Sequence, residues 1–142
     1  ARPLRHITRR LCCLLALPHL DDGAAIVNVA SDAGKVPTPG ESVIGAAMAG
    51  ISMFSRTLAM EAKRRKIRVN VVTPSLVRET LTHDRIMSNP FSSKLFGKAL
   101  QAAHLGVVDA DDVAAAIQFL VGKDAAKVTG QVISINGGIS AG

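Results

Sequence analysis

The stretch AGISMFSRTLAMEAKRRKIRVNVVTPS, residues 49–75, decides the fold. Its last part, IRVNVVTP at 67–74, is a short run rich in β-branched residues and closed by Pro74. Such a run reads as a buried strand, and a proline, which has no N–H for the ladder, stops it. The first part belongs to a helix predicted to start at Glu41 or Ser42 and to run to about Lys63. Gly45, Ala46, Ala49 and Gly50 are small enough to let that helix pack closely. Lys63, Arg64, Arg65, Lys66 and Arg68 follow, where basic side chains favour a helix C-terminus and face water.

Outward from this pair, AAIVNVAS at 24–31 is a second short strand, and residues 32–41 form a loop rich in Gly, Pro and Asp. Residues 3–20 read as a helix with an apolar side at Leu4, Ile7, Leu11, Leu14 and Leu15, ended by Asp21–Gly23. Downstream, 75–107 is irregular, with helical segments near 79–87 and 91–103. Asp109 reads as the N-cap of a helix through Val121, with Asp111 and Asp112 in its first turn. Thr129 opens a last strand, QVISI, which ends in Asn136–Gly137–Gly138. Short apolar strands alternating with long helices predict an α/β fold, an open parallel sheet covered on both faces.

The chain has 142 residues, 48% of them hydrophobic and 20% charged, a globular composition for one domain. Three strands leave such a sheet incomplete, and the chain opens at Ala1 without a Met. Residues 1–142 are therefore expected to be the C-terminal part of a single domain whose N-terminal half is absent. The net charge of +6 collects around Arg2, Arg5, Arg9 and Arg10 and around Lys63–Arg68. No nucleic-acid reading element accompanies it, so no nucleic acid is expected. Cys12 and Cys13 point to different sides of a helix and read as small core residues in a reducing compartment, with no disulfide and no metal. No secretory signal fits, and the longest apolar runs fall short of a membrane span. The expectation is a cytoplasmic protein with no membrane association. There are four Phe, no Tyr and no Trp, which excludes any mechanism that uses a tyrosine acid.

Three segments together carry a resemblance: GAAIVNVAS at 23–31, AGISMFSRTLAMEAKRRKIRVNVVTPS at 49–75, and DADDVAAAIQFLVGKDAAKVTGQVISINGG at 109–138. The chain resembles the C-terminal half of a short-chain dehydrogenase/reductase over nearly its whole length. The resemblance implies a Rossmann-like doubly wound parallel sheet, with the nucleotide-binding half lying upstream. In that family a Ser orients the substrate oxygen, a Tyr thirteen residues on exchanges the proton, and a Lys four further lowers the Tyr pKa and holds the nicotinamide ribose. Carried over, Ser31 is retained, Ile44 stands at the Tyr position and Met48 at the Lys position. The flank Ala49–Gly50 keeps that register. The family's Asn, which supports a water relay, falls near Leu4, and no Asn precedes Asn28. Its cofactor-contacting segment falls on Pro74, Ser75, Leu76, Val77 and Glu79, with Ser75 replacing a usual Gly and Glu79 a usual Thr. A carboxylate near the nicotinamide carboxamide is poorly placed, so no cofactor is expected on this chain.

The resemblance implies, first, a catalytically silent subunit supporting a homologous active dehydrogenase that carries the NAD. Contact would run through the helices at 3–20 and 42–63 and the C-terminal strand, in a dimer or tetramer. The inactive subunit of 2-[hydroxy(phenyl)methyl]succinyl-CoA dehydrogenase, an acyl-CoA enzyme of toluene breakdown, is one such arrangement. A second reading is an active oxidoreductase with displaced catalytic groups, drawn from Ser31, Asp32, His83, Asp84 and His104. His suits acid–base work near neutrality, although His83 also reads as a solvated loop residue, and His19 and His104 as helix-end residues. A third is a non-catalytic nucleotide- or ligand-sensing module.

Overall fold

The computed structural model describes residues 12–141. In chain order these form β1 (Ala25–Val29), α1 (Ser42–Ala62), β2 (Arg68–Pro74), α2 (Leu81–Met87), α3 (Pro90–Gln101), α4 (Ala110–Val121) and β3 (Val132–Ile135). A helical stretch at 12–16 and a 3-10 turn, Leu17–His19, precede β1. Residues 3–11 of the expected first helix, with Leu4, Ile7 and Leu11, lie outside the described residues.

The sheet is parallel with order β1-β2-β3. β1 pairs β2 from Ala25↔Arg68 to Val29↔Val72, and β2 pairs β3 from Val71↔Val132 to Pro74↔Ile135. β2 is thus the central strand, and every residue from Val69 to Pro74 is buried. Alternate side chains of a strand point to opposite faces. Val69 packs with Leu58, Ala59 and Ala62 of α1, and Val71 with Met48 and Ile51 about two to three turns earlier. Asn70 and Val72 are buried as well, and α4 lies against all three strands with Leu120 fully buried. The Asn70 amide extends the ladder sideways: Nδ2 donates to the Val128 carbonyl at 2.9 Å and Oδ1 accepts from Gln131 N at 3.0 Å. The strands run in chain order among the described residues, a parallel sheet of the expected kind with helices on both faces.

The helix ends explain their own positions. α1 tightens into a 3-10 turn at Lys63–Arg65 and stops at Lys66, whose φ of 58° is left-handed. α4 opens on a capping box, in which Asp109 accepts from Asp112 N and Asp112 from Asp109 N. Two of the basic residues expected to face water instead cap carbonyls. Arg68 donates to Leu120 O at 2.5 Å and to Val121 O and Gly122 O at 3.2 Å, closing the end of α4. Arg65 donates to Leu17 O at 2.8 Å, to Leu20 O, and to Asp22 at 3.0 Å.

Three further expectations change. The segment Ser42–Arg65 is long and apolar enough to cross a membrane by length and composition, with a mean hydropathy of 1.4. Its inner side is the core face just described, whereas Val43, Ile44, Met53 and Met60 on the same helix are exposed. Leu14 and Leu15 are exposed; Leu17 and Leu20 pack on the core in their place. Cys12 is exposed, whereas Cys13 is partly buried and donates from Sγ to Asn28 at 3.5 Å. Burial pushes the Cys13 thiol pKa up, the Asn28 hydrogen bond and Cys12 being smaller influences.

Candidate active site

The C-terminal ends of β1 and β2 open into a cavity of about 590 Å³. A parallel sheet presents its loops there, and that edge is where α/β folds bind ligands. The volume suits a small organic molecule.

Ser31 follows β1 in extended backbone and caps the 3-10 turn Asp32–Gly34. Its Oγ accepts from Ala33 N at 3.3 Å, and its hydroxyl proton takes no acceptor among the described residues. That proton is available to the cavity. The turn is seated directly on α1. A Cβ on Gly34 would lie 2.7 Å from Met48 C and Ala49 N, and one on Gly45 would lie 2.7 Å from Ala33 O. Two glycines therefore interlock backbone against backbone, and this fixes Ser31 beside the first two turns of α1.

Those turns carry Glu41, Ile44 and Met48, all on the cavity wall. Ile44 is 42% exposed, and Met48 is buried against Ala30, Ile51 and Val71. Glu41 stands at the N-cap of α1 without a side-chain capping bond. Its carboxylate has no hydrogen bond or ion pair among the described residues. Burial pushes its pKa up.

Asp32 is the opposite case. It is buried, and its carboxylate accepts from Ser134 Oγ at 3.1 Å, Asn136 Nδ2 at 2.5 Å and Ser140 Oγ at 3.3 Å. Lys35 Nζ donates to the same Ser134 hydroxyl at 2.5 Å. The network ties the segment after β3 to the Ser31 turn. Gly137, at φ 66°, makes the bend possible, since a Cβ there would collide with the Gly106 carbonyl.

Pro74, Ser75, Leu76 and Val77 line the wall after β2. Glu79 does not. Its backbone is left-handed, φ 60°, and Thr80 reaches the wall in its place, accepting from His83 N and donating to Val77 O. The expected carboxylate at the carboxamide side is thus off the wall. Thr82 and Ile86 of α2 and Leu95, Phe96 and Ala99 of α3 close the far side. His83 and Asp84 sit on α2 but not on the wall; His83 Nδ1 lies 3.4 Å from Asp84 Oδ1 near the surface. His104 is exposed and His19 ends the turn before β1, neither at the cavity. Among the described residues no group of three or more His, Cys, Asp or Glu could hold a metal ion.

The sequence reasoning missed Glu41, reading it only as a possible helix start. The usable signal was its place one helical turn before Ile44, on the same face of α1.

The family model described as enoyl-(acyl carrier protein) reductase matches residues 9–140. The chain therefore belongs to that family of short-chain dehydrogenases/reductases. It is 37% identical to the 3-oxoacyl-[acyl-carrier-protein] reductase of Bos taurus over 91% of its own length and 51% of that protein's. Among solved structures, a short-chain dehydrogenase/reductase from Brucella melitensis matches with a TM-score of 0.80 and 27% identity, covering 92% of this chain and 51% of that one. ElxO with NADP bound matches with a TM-score of 0.73 and 26% identity, covering 90% and 52%. The chain spans about half the length of the curated relatives it matches.

These likenesses correct several expectations. The family match takes in nearly the whole chain, which overturns the reading as a bare C-terminal half made from the incomplete three-strand sheet and the Ala1 start. The relatives are reductases by name, which overturns the silent partner, the pseudoenzyme and the inactive subunit of 2-[hydroxy(phenyl)methyl]succinyl-CoA dehydrogenase. With them falls the passive contact with an active homologue through the helices at 3–20 and 42–63 and the last strand. The NADP-bound relative overturns the placing of NAD on a partner alone.

Proposed function

From that membership we propose that this chain forms the substrate side of the active site of an NAD(P)-dependent oxidoreductase. Its reaction is reduction of a ketone on an acyl chain, with proton chemistry displaced from positions 44 and 48. The observation that carries the reading is the cavity at the strand ends, where the free Ser31 hydroxyl faces an apolar enclosure. The relatives' name, 3-oxoacyl-[acyl-carrier-protein] reductase, supports the substrate class.

The residues present fit the nicotinamide end of NAD(P). Pro74–Val77 supply an apolar wall with backbone groups and the Ser75 hydroxyl, and the Glu79 carboxylate is turned away from it. When bound, NAD(P)H supplies the hydride. Ser31 donates its hydroxyl hydrogen to the ketone oxygen and so orients the carbonyl, as a preorganised donor does where negative charge develops. Ile86, Leu95, Phe96 and Ala99 cover the acyl chain and keep water out. Ile44 and Met48 shape the pocket and hold no proton.

The test is NADPH consumption by the full protein with 3-oxoacyl thioesters of increasing chain length, followed by the near-ultraviolet absorbance of the cofactor. Turnover that improves with chain length and falls by about 10²-fold in Ser31→Ala is the expected outcome. No consumption with any thioester, under conditions where the protein is folded, would refute the reading.

A further inference from the structure

A reductase must return a proton to the oxygen that receives the hydride's electrons. Among the described residues the cavity wall holds two titratable side chains, Asp32 and Glu41, and no His, Cys, Lys or Tyr. Asp32 is committed: its carboxylate accepts from Ser134, Asn136 and Ser140, and moving a proton there would break a buried network. Glu41 is part-buried, and its carboxylate is without a partner among the described residues. It lines the same cavity as Ser31, one helical turn before Ile44 on the same helix.

We propose that the Glu41 carboxyl is the proton donor of this active site, a carboxylic acid working in place of the group that positions 44 and 48 cannot supply. This rests on the reductase reading above. In the forward direction the ketone carbon gains a C–H bond from the NAD(P)H hydride, and the C=O π pair moves onto oxygen. The Glu41 O–H bond breaks and its proton forms the new alcohol O–H, leaving Glu41 as carboxylate. Solvent at the open mouth reprotonates it. Ketone, NAD(P)H and one proton become alcohol and NAD(P)+. In the reverse direction Glu41 as carboxylate takes the alcohol proton.

The electrostatics agree with this role. Burial holds the Glu41 pKa above the ordinary glutamate value, so the acid form persists to higher pH. Two charged groups share cavity walls with it: Asp32 on the turn and Lys35 just after it. The first is held by its three donors and the second by Ser134. The walls from α2 and α3 are uncharged. A ligand that fills the cavity strips more water from Glu41 and raises its pKa further.

The experiment compares the full protein with Glu41→Gln, which keeps size and polarity and removes only the titrating proton. Two readouts are taken: steady-state reduction of a 3-oxoacyl thioester against pH, and carboxyl carbon NMR with and without the corresponding 3-hydroxyacyl thioester. The parent rate should fall as pH rises through the Glu41 pKa, because the donor is then lost. Glu41→Gln should lower kcat by about 10²–10⁴-fold with little change in KM, and abolish that alkaline limb. The NMR signal missing from Glu41→Gln should titrate above the ordinary glutamate range in the parent and rise further with ligand. If the parent reduces the thioester and Glu41→Gln does so equally well, the Glu41 assignment is wrong and the reductase reading stands. The assignment is equally wrong if the Glu41 signal titrates at or below the ordinary range. If the parent reduces no thioester, the reductase reading fails and takes the assignment with it.

Discussion

Adding one methyl group at Gly34 tests whether the interlock with α1 sets the site. A Cβ there would meet Met48 C and Ala49 N at 2.7 Å and Met48 Cβ at 2.8 Å. All three atoms belong to the backbone or its first carbon, so no flexible tip can swing away. Ordinary contact begins near 3.4 Å, and a gap of about 0.7 Å has to open between the turn and the helix. Overpacking of this kind costs about 1–3 kcal/mol. At about 2–4 °C per kcal/mol for a domain of 150–250 residues, Gly34→Ala should lower Tm by roughly 2–12 °C. The same gap moves Ser31 relative to Glu41, and a sub-ångström misplacement of reacting groups is enough to depress kcat by about tenfold or more. Gly97→Ala is the matched control. A Cβ at Gly97, inside α3, would meet nothing within 4 Å. It should gain about 0.5–1 kcal/mol from the better helix propensity of alanine. Thermal unfolding followed by circular dichroism, with kcat on the same samples, reads both. A Gly34→Ala protein that melts with the parent and turns over at the parent rate would refute the interlock.

Other perturbations follow from the same contacts. Met48→Lys places an ammonium against Ala30, Ile51 and Val71 and should cost about 3–4 kcal/mol, read as a lower urea midpoint. Ile44→Tyr, at a position 42% exposed, should leave that midpoint near the parent's; equal midpoints for both variants would contradict the burial. Arg68→Ala removes a charged donor shared by three carbonyls at the end of α4 and should destabilise by about 1.5–3 kcal/mol, with faster amide exchange confined first to the end of that helix. The Arg78 side chain at 2.8 Å holds the Asp109 pKa below the usual carboxylate range, with the Asp112 backbone bond adding to it. A depressed folded pKa gives stability that is present above the unfolded value and is lost as pH falls through the folded one. The stability curves of the parent and Asp109→Asn should therefore differ at neutral pH and converge in acid; a constant gap across that range would count against the pairing.

The central strand was readable from IRVNVVTP because burial on both faces leaves a local composition that no loop shares. The capping box at Asp109 was readable for a similar reason: the whole device lies within four residues. Contacts between distant segments left no such trace. Arg65 and Arg68 looked like a solvated basic end because the carbonyls they cap come from residues 17–20 and 120–122. His83 and Asp84 lie in the right segment, yet α2 turns Thr82 and Ile86, four apart, toward the cavity. Residues 83 and 84 are then rotated off that face by the helical period. Ser31 could be placed from its position after a strand, but the exclusion of Glu79 from the wall depends on one left-handed backbone angle.

Two carboxylates from one short loop illustrate why residue type alone did not locate the acid. Asp32 and Glu41 both border the cavity, and the sequence offers no reason to rank the second above the first. Their surroundings separate them. Asp32 is buried where three donors converge, so its charge has partners and its geometry is fixed. Glu41 is part-buried where no donor reaches it, so burial favours its proton and nothing opposes that. A carboxylate that is held serves to align; a carboxyl that is desolvated and unheld can give its proton away. The interlocked glycines bring the two into one site, since Gly34 follows Asp32 by two residues while Gly45 follows Glu41 by four. The residues that fix the backbone contact are thus also the ones that decide how far the aligned group stands from the one that titrates.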